Sequence, residues 1–173
     1  MTHPAAQSAR IMALALMSAL VMIAAMLYFV LPDPWAVPPW WVPVAQVLAG
    51  VAVHLFNDTT GYRTPALDPG LAEDEAVTRS VQAYTNAMML RFAVSDAIAI
   101  ISVALAFVLG EGGFLTYVGG AVVSLVLLAV HVWPGARPVG RTAASLERDG
   151  ARSHLHRAFG LADPGPGGAI QRL

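Results

Sequence analysis

The chain contains no cysteine, which excludes disulfides, thiolate metal sites and cysteine nucleophiles. It contains no lysine either, so all 10 of its basic side chains are arginines. Charge of either sign is scarce: charged residues make up 12% of the chain, about half the share of a soluble domain. The net charge of −1 creates no field that would draw in a nucleic acid. Motifs of catalysis are missing too. There is no phosphate-binding glycine loop, nucleophile elbow, zinc-helix motif or kinase signature. No catalytic residue, metal or cofactor is therefore assigned, and the expectation is a protein that is not an enzyme.

Apolar length is what the chain has in quantity. Hydrophobic residues make up 57% of it. They collect in four runs, residues 11–31, 41–57, 88–109 and 114–134, the second being the shortest. At about 1.5 Å per residue, each reaches or approaches the roughly 30 Å of a hydrocarbon core. The first run is longer than the apolar part of a signal peptide, and no small-x-small cleavage site closes it, so it reads as a retained span. The predicted fold class is all-α: an integral membrane up-down-up-down four-helix bundle over residues 1–134, with a link at 58–87. A tail at 135–173 carries arginines and short helices.

The arginines orient this bundle. Arg10 precedes the first run, and Arg63, Arg79 and Arg91 lie between the second and the body of the third. Arg137, Arg141, Arg148, Arg152, Arg157 and Arg172 follow the fourth, while the links at 32–40 and 110–113 have none. The positive-inside rule then predicts a multipass protein of the bacterial plasma membrane with both termini cytoplasmic. Trp35, Trp40 and Trp41 gather at the opposite end, where an aromatic belt belongs.

The outer links are turn-rich: Pro32-Asp33-Pro34, Pro38-Pro39 and Gly110-Glu111-Gly112-Gly113. In the inner link, Asp68-Pro69 reads as a helix start, with the acids Glu73, Asp74 and Glu75 in the first turns. Val77, Val81, Tyr84 and Met88 recur at helical spacing and predict one long third helix that begins near 69–71 and contains Asp96. In the tail, Ala144, Ala151, Leu155 and Phe159 share a face that Gly150 interrupts, so one helix or two short ones fit. Residues 163–168 read as a turn-prone end. A faint repeat sets Ser18 on Asp96, Phe29-Val30-Leu31 on Phe107-Val108-Leu109, and Ala52-Val53-His54 on Ala129-Val130-His131, consistent with a duplicated two-span hairpin.

Three residues form the candidate ion or proton site. Asp96 is the only acid inside any run and lies about 9 Å deep, where a charge needs a partner. It is a protonatable or cation-binding carboxylate, or a structural acid bonded across the bundle. His54 and His131 close their runs at the same end, about 5 Å deep. They either meet Asp96 in a proton or metal site or extend separately to the interface. Arg91 lies five residues before Asp96, about 140° around the helix, and is expected to reach lipid headgroups. Ser18, Gln46, Ser95, Ser102 and Ser124, with Gly50, Gly119 and Gly120, read as helix-packing residues. Asn57-Asp58-Thr59 fits a glycosylation acceptor but falls at the cytoplasmic end. The predicted partners are the lipid bilayer and a protein partner or second copy. The arginine tail is expected to meet anionic lipid or the acidic link around Glu73–Glu75.

Residues 89–155 resemble the small uncharacterised multipass membrane proteins of actinobacteria. The resemblance is carried by Leu90-Arg91-Phe92-Ala93-Val94-Ser95-Asp96-Ala97, Val130-His131-Val132-Trp133-Pro134 and Leu146-Glu147-Arg148-Asp149-Gly150-Ala151-Arg152-Ser153. It implies a fold type and no activity. The third run alone, at Asp96-Ala97-Ile98-Ala99-Ile100, is similar to the acid-bearing helix of rotary ATPase proteolipid subunits, where the carboxylate carries the translocated ion. The chain lacks that family's Gly-x-Gly helix and short polar loop. The expectation is thus an interaction or assembly component of the membrane, with a proton- or cation-handling subunit using Asp96 as the alternative.

Overall fold

The computed structural model describes residues 4–31, 33, 35–109 and 111–162. Pro32, Pro34 and Gly110 of the outer turns, and the end at 163–173 with Arg172, lie outside the described residues. Six helices follow one another: α1 (Pro4–Val30), α2 (Trp41–Thr59), α3 (Glu73–Val108), α4 (Gly113–His131), α5 (Ala136–Leu146) and α6 (Leu155–Ala158). No strand occurs among the described residues.

Three of these helices, α1, α3 and α4, are long and apolar enough to cross a membrane. The 19 residues of α2 include Gln46, His54, Asn57 and Asp58, which dilute its apolar character. The α3–α4 hairpin is the centre of the molecule. Helices α1 and α2 each pack on both of its members but not substantially on one another. The two hairpins of the faint repeat therefore differ: one is tightly closed and the other is splayed around it.

The two flanks are built differently. Against α1 the interface is apolar, with Ala13, Leu20, Leu27, Ala99, Tyr117 and Ala121 buried. Against α2 it is polar. The Gln46 amide donates to Ser102 Oγ at 2.9 Å and to the Thr116 carbonyl at 2.7 Å, and Asn57 Nδ2 donates to Ser95 Oγ at 3.1 Å. Small residues let the backbones approach: a Cβ at Gly120 would lie 1.9 Å from Ser102 Oγ. These are the roles expected for Gln46, Ser95, Ser102 and Gly120, whereas Ser18 faces outward. Outward faces carry large apolar side chains such as Phe29, Met22, Ile100 and Val126.

The third helix is continuous for 36 residues, as the stripe predicts, and Val81, Tyr84 and Met88 are buried. Its start is at Glu73 and not at 69–71. Asp68 instead accepts from the Gly70 amide at 2.8 Å in a tight turn, and Gly70 is a poor helix former. Helix formation waits for the three acids that suit the positive helix end. At the far end Gly112 adopts φ +74, and a Cβ there would sit 2.2 Å from Pro38 Cα, so only glycine lets the two outer links touch.

The other end is closed by a folded cap. Two helices form in the tail, but the face differs from expectation: Thr142, Ala143 and Leu146 are buried and Ala144 is exposed. The Leu67 amide donates to the Leu146 carbonyl at 2.9 Å, and the Thr64 amide to Ser145 Oγ at 2.9 Å, binding the link to α5. Phe159 packs on Tyr84 with ring centroids 4.7 Å apart. Arg10 donates to the Phe159 carbonyl at 2.7 Å, tying the start of α1 to the last helix.

Candidate functional site

At the junction of cap and bundle, polar side chains from α2, α3, α4, α5 and the link converge. His131 ends α4 fully buried. Its Nε2 lies 2.8 Å from Nδ1 of the half-buried His54, and its Nδ1 lies 2.9 Å from the Tyr62 hydroxyl. Both ring nitrogens are engaged, and a neutral imidazole carries one N–H. Burial pushes the Tyr62 phenol up against the pull of Arg91, Arg137 and Arg141, so its proton is retained. The consistent arrangement has Tyr62 donating to His131 Nδ1 and His131 Nε2–H donating to His54 Nδ1. This is a three-member hydrogen-bonded chain leading from the cap to a half-exposed imidazole.

Arg91 lies beneath it. The expectation that Arg91 reaches lipid headgroups is overturned: its side chain is fully buried. Nε donates to the His131 carbonyl and Nη1 to the Gly61 carbonyl, each at 2.9 Å. The guanidinium stands 4.4 Å from the centroid of Tyr62 and 5.6 Å from that of Tyr84. These carbonyls are helix-end and loop acceptors that need donors, and the ring faces attract the cation. Arg141 approaches the same Tyr62 ring at 4.7 Å. Arg141 also pairs with Asp58 and donates to its backbone carbonyl at 2.6 Å, while Arg137 reaches Asp58 Oδ1 at 2.9 Å. Burial raises the Asp58 carboxyl, but Arg141 and then Arg137 outweigh it and hold the group below the usual carboxylate range.

The three expected site residues are therefore divided. His54 and His131 meet directly, at equivalent ends of the faint repeat. Asp96 does not join them. It is half-buried, and no hydrogen bond or ion pair links it to another described residue. It stands one residue beyond Ser95, whose side chain accepts from Asn57 of α2. No group of three or more metal-ligating side chains occurs among the described residues. Sequence reasoning missed Tyr62 and Asp58, which lie in no periodic pattern. Arg91 carried a signal, because it continues the spacing of Tyr84 and Met88 toward Ser95. No protein-family model, curated protein or solved structure matches the chain.

Proposed function

We propose that the chain is a four-span protein of the bacterial plasma membrane, with both termini in the cytoplasm, that serves as an interaction or assembly component and not as an enzyme. The unbroken α3 carries this reading: one half of its 36 residues is embedded in the arginine-bearing cap and the other in the apolar bundle. A rigid rod of this kind transmits a load placed on the cap into the membrane. Helix α2 acts as the second span, since 19 residues reach about 28 Å and its polar atoms face α3 and α4. Trp35 and Trp40 at one end and Trp133 at the other are exposed where two interfaces would lie. Because the native chain has no cysteine, single-cysteine variants at Asp33 and Asp149 give unique labels. An impermeant maleimide should modify the first in intact cells and the second only after lysis. Labelling of the second in intact cells would reverse the topology. Cross-linking of the cap in native membranes should then yield a discrete adduct. A protein that stays monomeric and free of adducts would remove the assembly role.

The His54–His131–Tyr62 chain favours a second reading, a proton-responsive subunit, with Asp96 outside the relay. In reconstituted protein, His131→Gln should then abolish pH-dependent behaviour and Asp96→Asn preserve it. The opposite pattern would return the role to Asp96.

A further inference from the structure

Asp96 is an acid that the chain leaves without a partner. No described residue bonds its carboxylate, and its neighbour Ser95 is engaged by Asn57 of α2. The contact of α3 with α4 fixes its level. Ser124 Oγ donates to the Ser95 carbonyl at 2.8 Å and accepts from the Ala99 amide at 3.1 Å. Asp96 therefore stands level with Ser124, seven residues from the end of α4 at His131 and twelve from the end of α3 at Val108. At about 1.5 Å per residue, that is about 10 Å from the cap side of the hairpin and about 18 Å from its other side. Successive helical residues turn by about 100°, which carries Asp96 off the buried stripe of Arg91 and Ser95 to the edge of the outward face. Met89, Ala93, Ile100 and Phe107 lie within about 60° of it around the same helix, and all four are exposed.

On the four-span reading, on which this inference rests, a carboxylate at that depth is costly without a partner. An ionised carboxylate only accepts, so its complement is a donor, and a charged donor is the strongest. No copy of this chain can bring one. Its arginines leave residues 11–62 and 92–136 empty, and His54 and His131 bond to each other at the cap junction. Two copies side by side would set one Asp96 against the other. We propose that the outward face of α3 around Asp96 is the docking surface for a transmembrane helix of a different protein, which brings an arginine or lysine to the level of the carboxylate. Ala93, one turn from Asp96, leaves room for the close approach of that helix, and Met89, Ile100 and Phe107 supply the apolar contact around it. The assembly role thereby acquires a partner class: a membrane helix with one basic residue about a third of the way across.

The test uses the full-length protein in phosphatidylcholine vesicles, with a donor fluorophore on Asp149→Cys in the otherwise cysteine-free chain. Resistance to alkaline extraction should first show that the protein has inserted. A protein that washes off refutes the four-span reading and this inference with it. The probes are acceptor-labelled leucine–alanine helices of about 20 residues that differ at one position, about 10 Å from one end, where one carries arginine and the other leucine. Energy transfer should show the arginine probe binding about fivefold more tightly, the scale of one polar contact between membrane helices. Asp96→Asn keeps the shape and removes the charge, and it should erase most of that preference, whereas Asp96→Glu should retain it. Because no described residue bonds Asp96, Asp96→Asn should melt with the wild type. Equal binding of the two probes by an inserted protein, or a preference that Asp96→Asn leaves intact, overturns the proposal while the membrane reading stands. A lowered melting temperature would assign the acid to the fold and overturn it too. So would energy transfer between two labelled copies of the protein that Asp96→Asn abolishes, since the occupant would then be a second copy.

Discussion

His131 is engaged through three atoms: one ring nitrogen by Tyr62, the other by His54, and its carbonyl by Arg91. His131→Leu leaves the backbone bond but strands the Tyr62 hydroxyl in a closed site, a cost of about 1–3 kcal/mol. His54→Leu should cost less, because that imidazole is half-exposed. Denaturant titration of the two variants in detergent measures the difference, and equal losses would contradict the one-sided burial. Asp58 gives a pH signature. Its folded carboxyl titrates below the reference value of 3.8, so its stabilising contribution is present above that value and is lost as pH falls through the lower folded value. Melting temperature should drop on acidification below about pH 4 in wild type, and this component should be missing from Asp58→Asn. The contribution is modest because the pair with Arg137 is solvent-screened.

At the scale of elements, α3 was the most legible feature. The recurrence of Val77, Val81, Tyr84 and Met88 specified a helix, and extending the same spacing reaches Arg91 and Ser95, both fully buried. Arg91 was misread because residue type was weighed above register: an arginine near a span end normally extends to water, whereas its stripe points into the protein. A single alanine inserted between Met88 and Met89 turns the following residues by about 100°. Arg91 then leaves both carbonyls while the helix itself persists. Circular dichroism should stay near native and cooperative melting should be lost; native melting would show that the register is unimportant. Helix packing supplies a matched pair of tests. Gly120→Ala drives a methyl into Ser102 and should cost about 1–3 kcal/mol, whereas at Gly135 the nearest atom to an added Cβ is 3.7 Å away and alanine should be tolerated. Equal thermal stability of the two variants would count against the close approach of α3 and α4.

For the whole molecule, apolar runs announced the ends of the four long helices to within a few residues, because a stretch that avoids charge is visible without knowing its neighbours, whereas α1 and α3 begin well ahead of their runs in more polar sequence. How those helices pack was not visible. The Gln46 amide finds its acceptors 56 and 70 residues away, and the Tyr117 hydroxyl finds Leu20 97 residues away. Nothing local to Gln46 or Tyr117 names such partners. The candidate site was legible in part for the same reason. That two histidines end at one level follows from the lengths of their apolar runs, and they meet. Asp96 lies at a similar level along α3 but does not join them, since level is set by position along a rod and neighbours by rotation about it.

The bonds of Arg91 also set an order of manufacture. Its carbonyl partner at Gly61 is 30 residues behind it and already made, while the one at His131 is 40 residues ahead. Helix α3 leaving the ribosome therefore carries a guanidinium whose second carbonyl does not yet exist, and insertion scales penalise such a charge. On the membrane reading proposed above, the nascent segment stays with the insertion machinery until α4 has followed it. On that reading α3 and α4 enter lipid as a pair, and a ribosome halted between them would leave the newest helix waiting at the door of the bilayer.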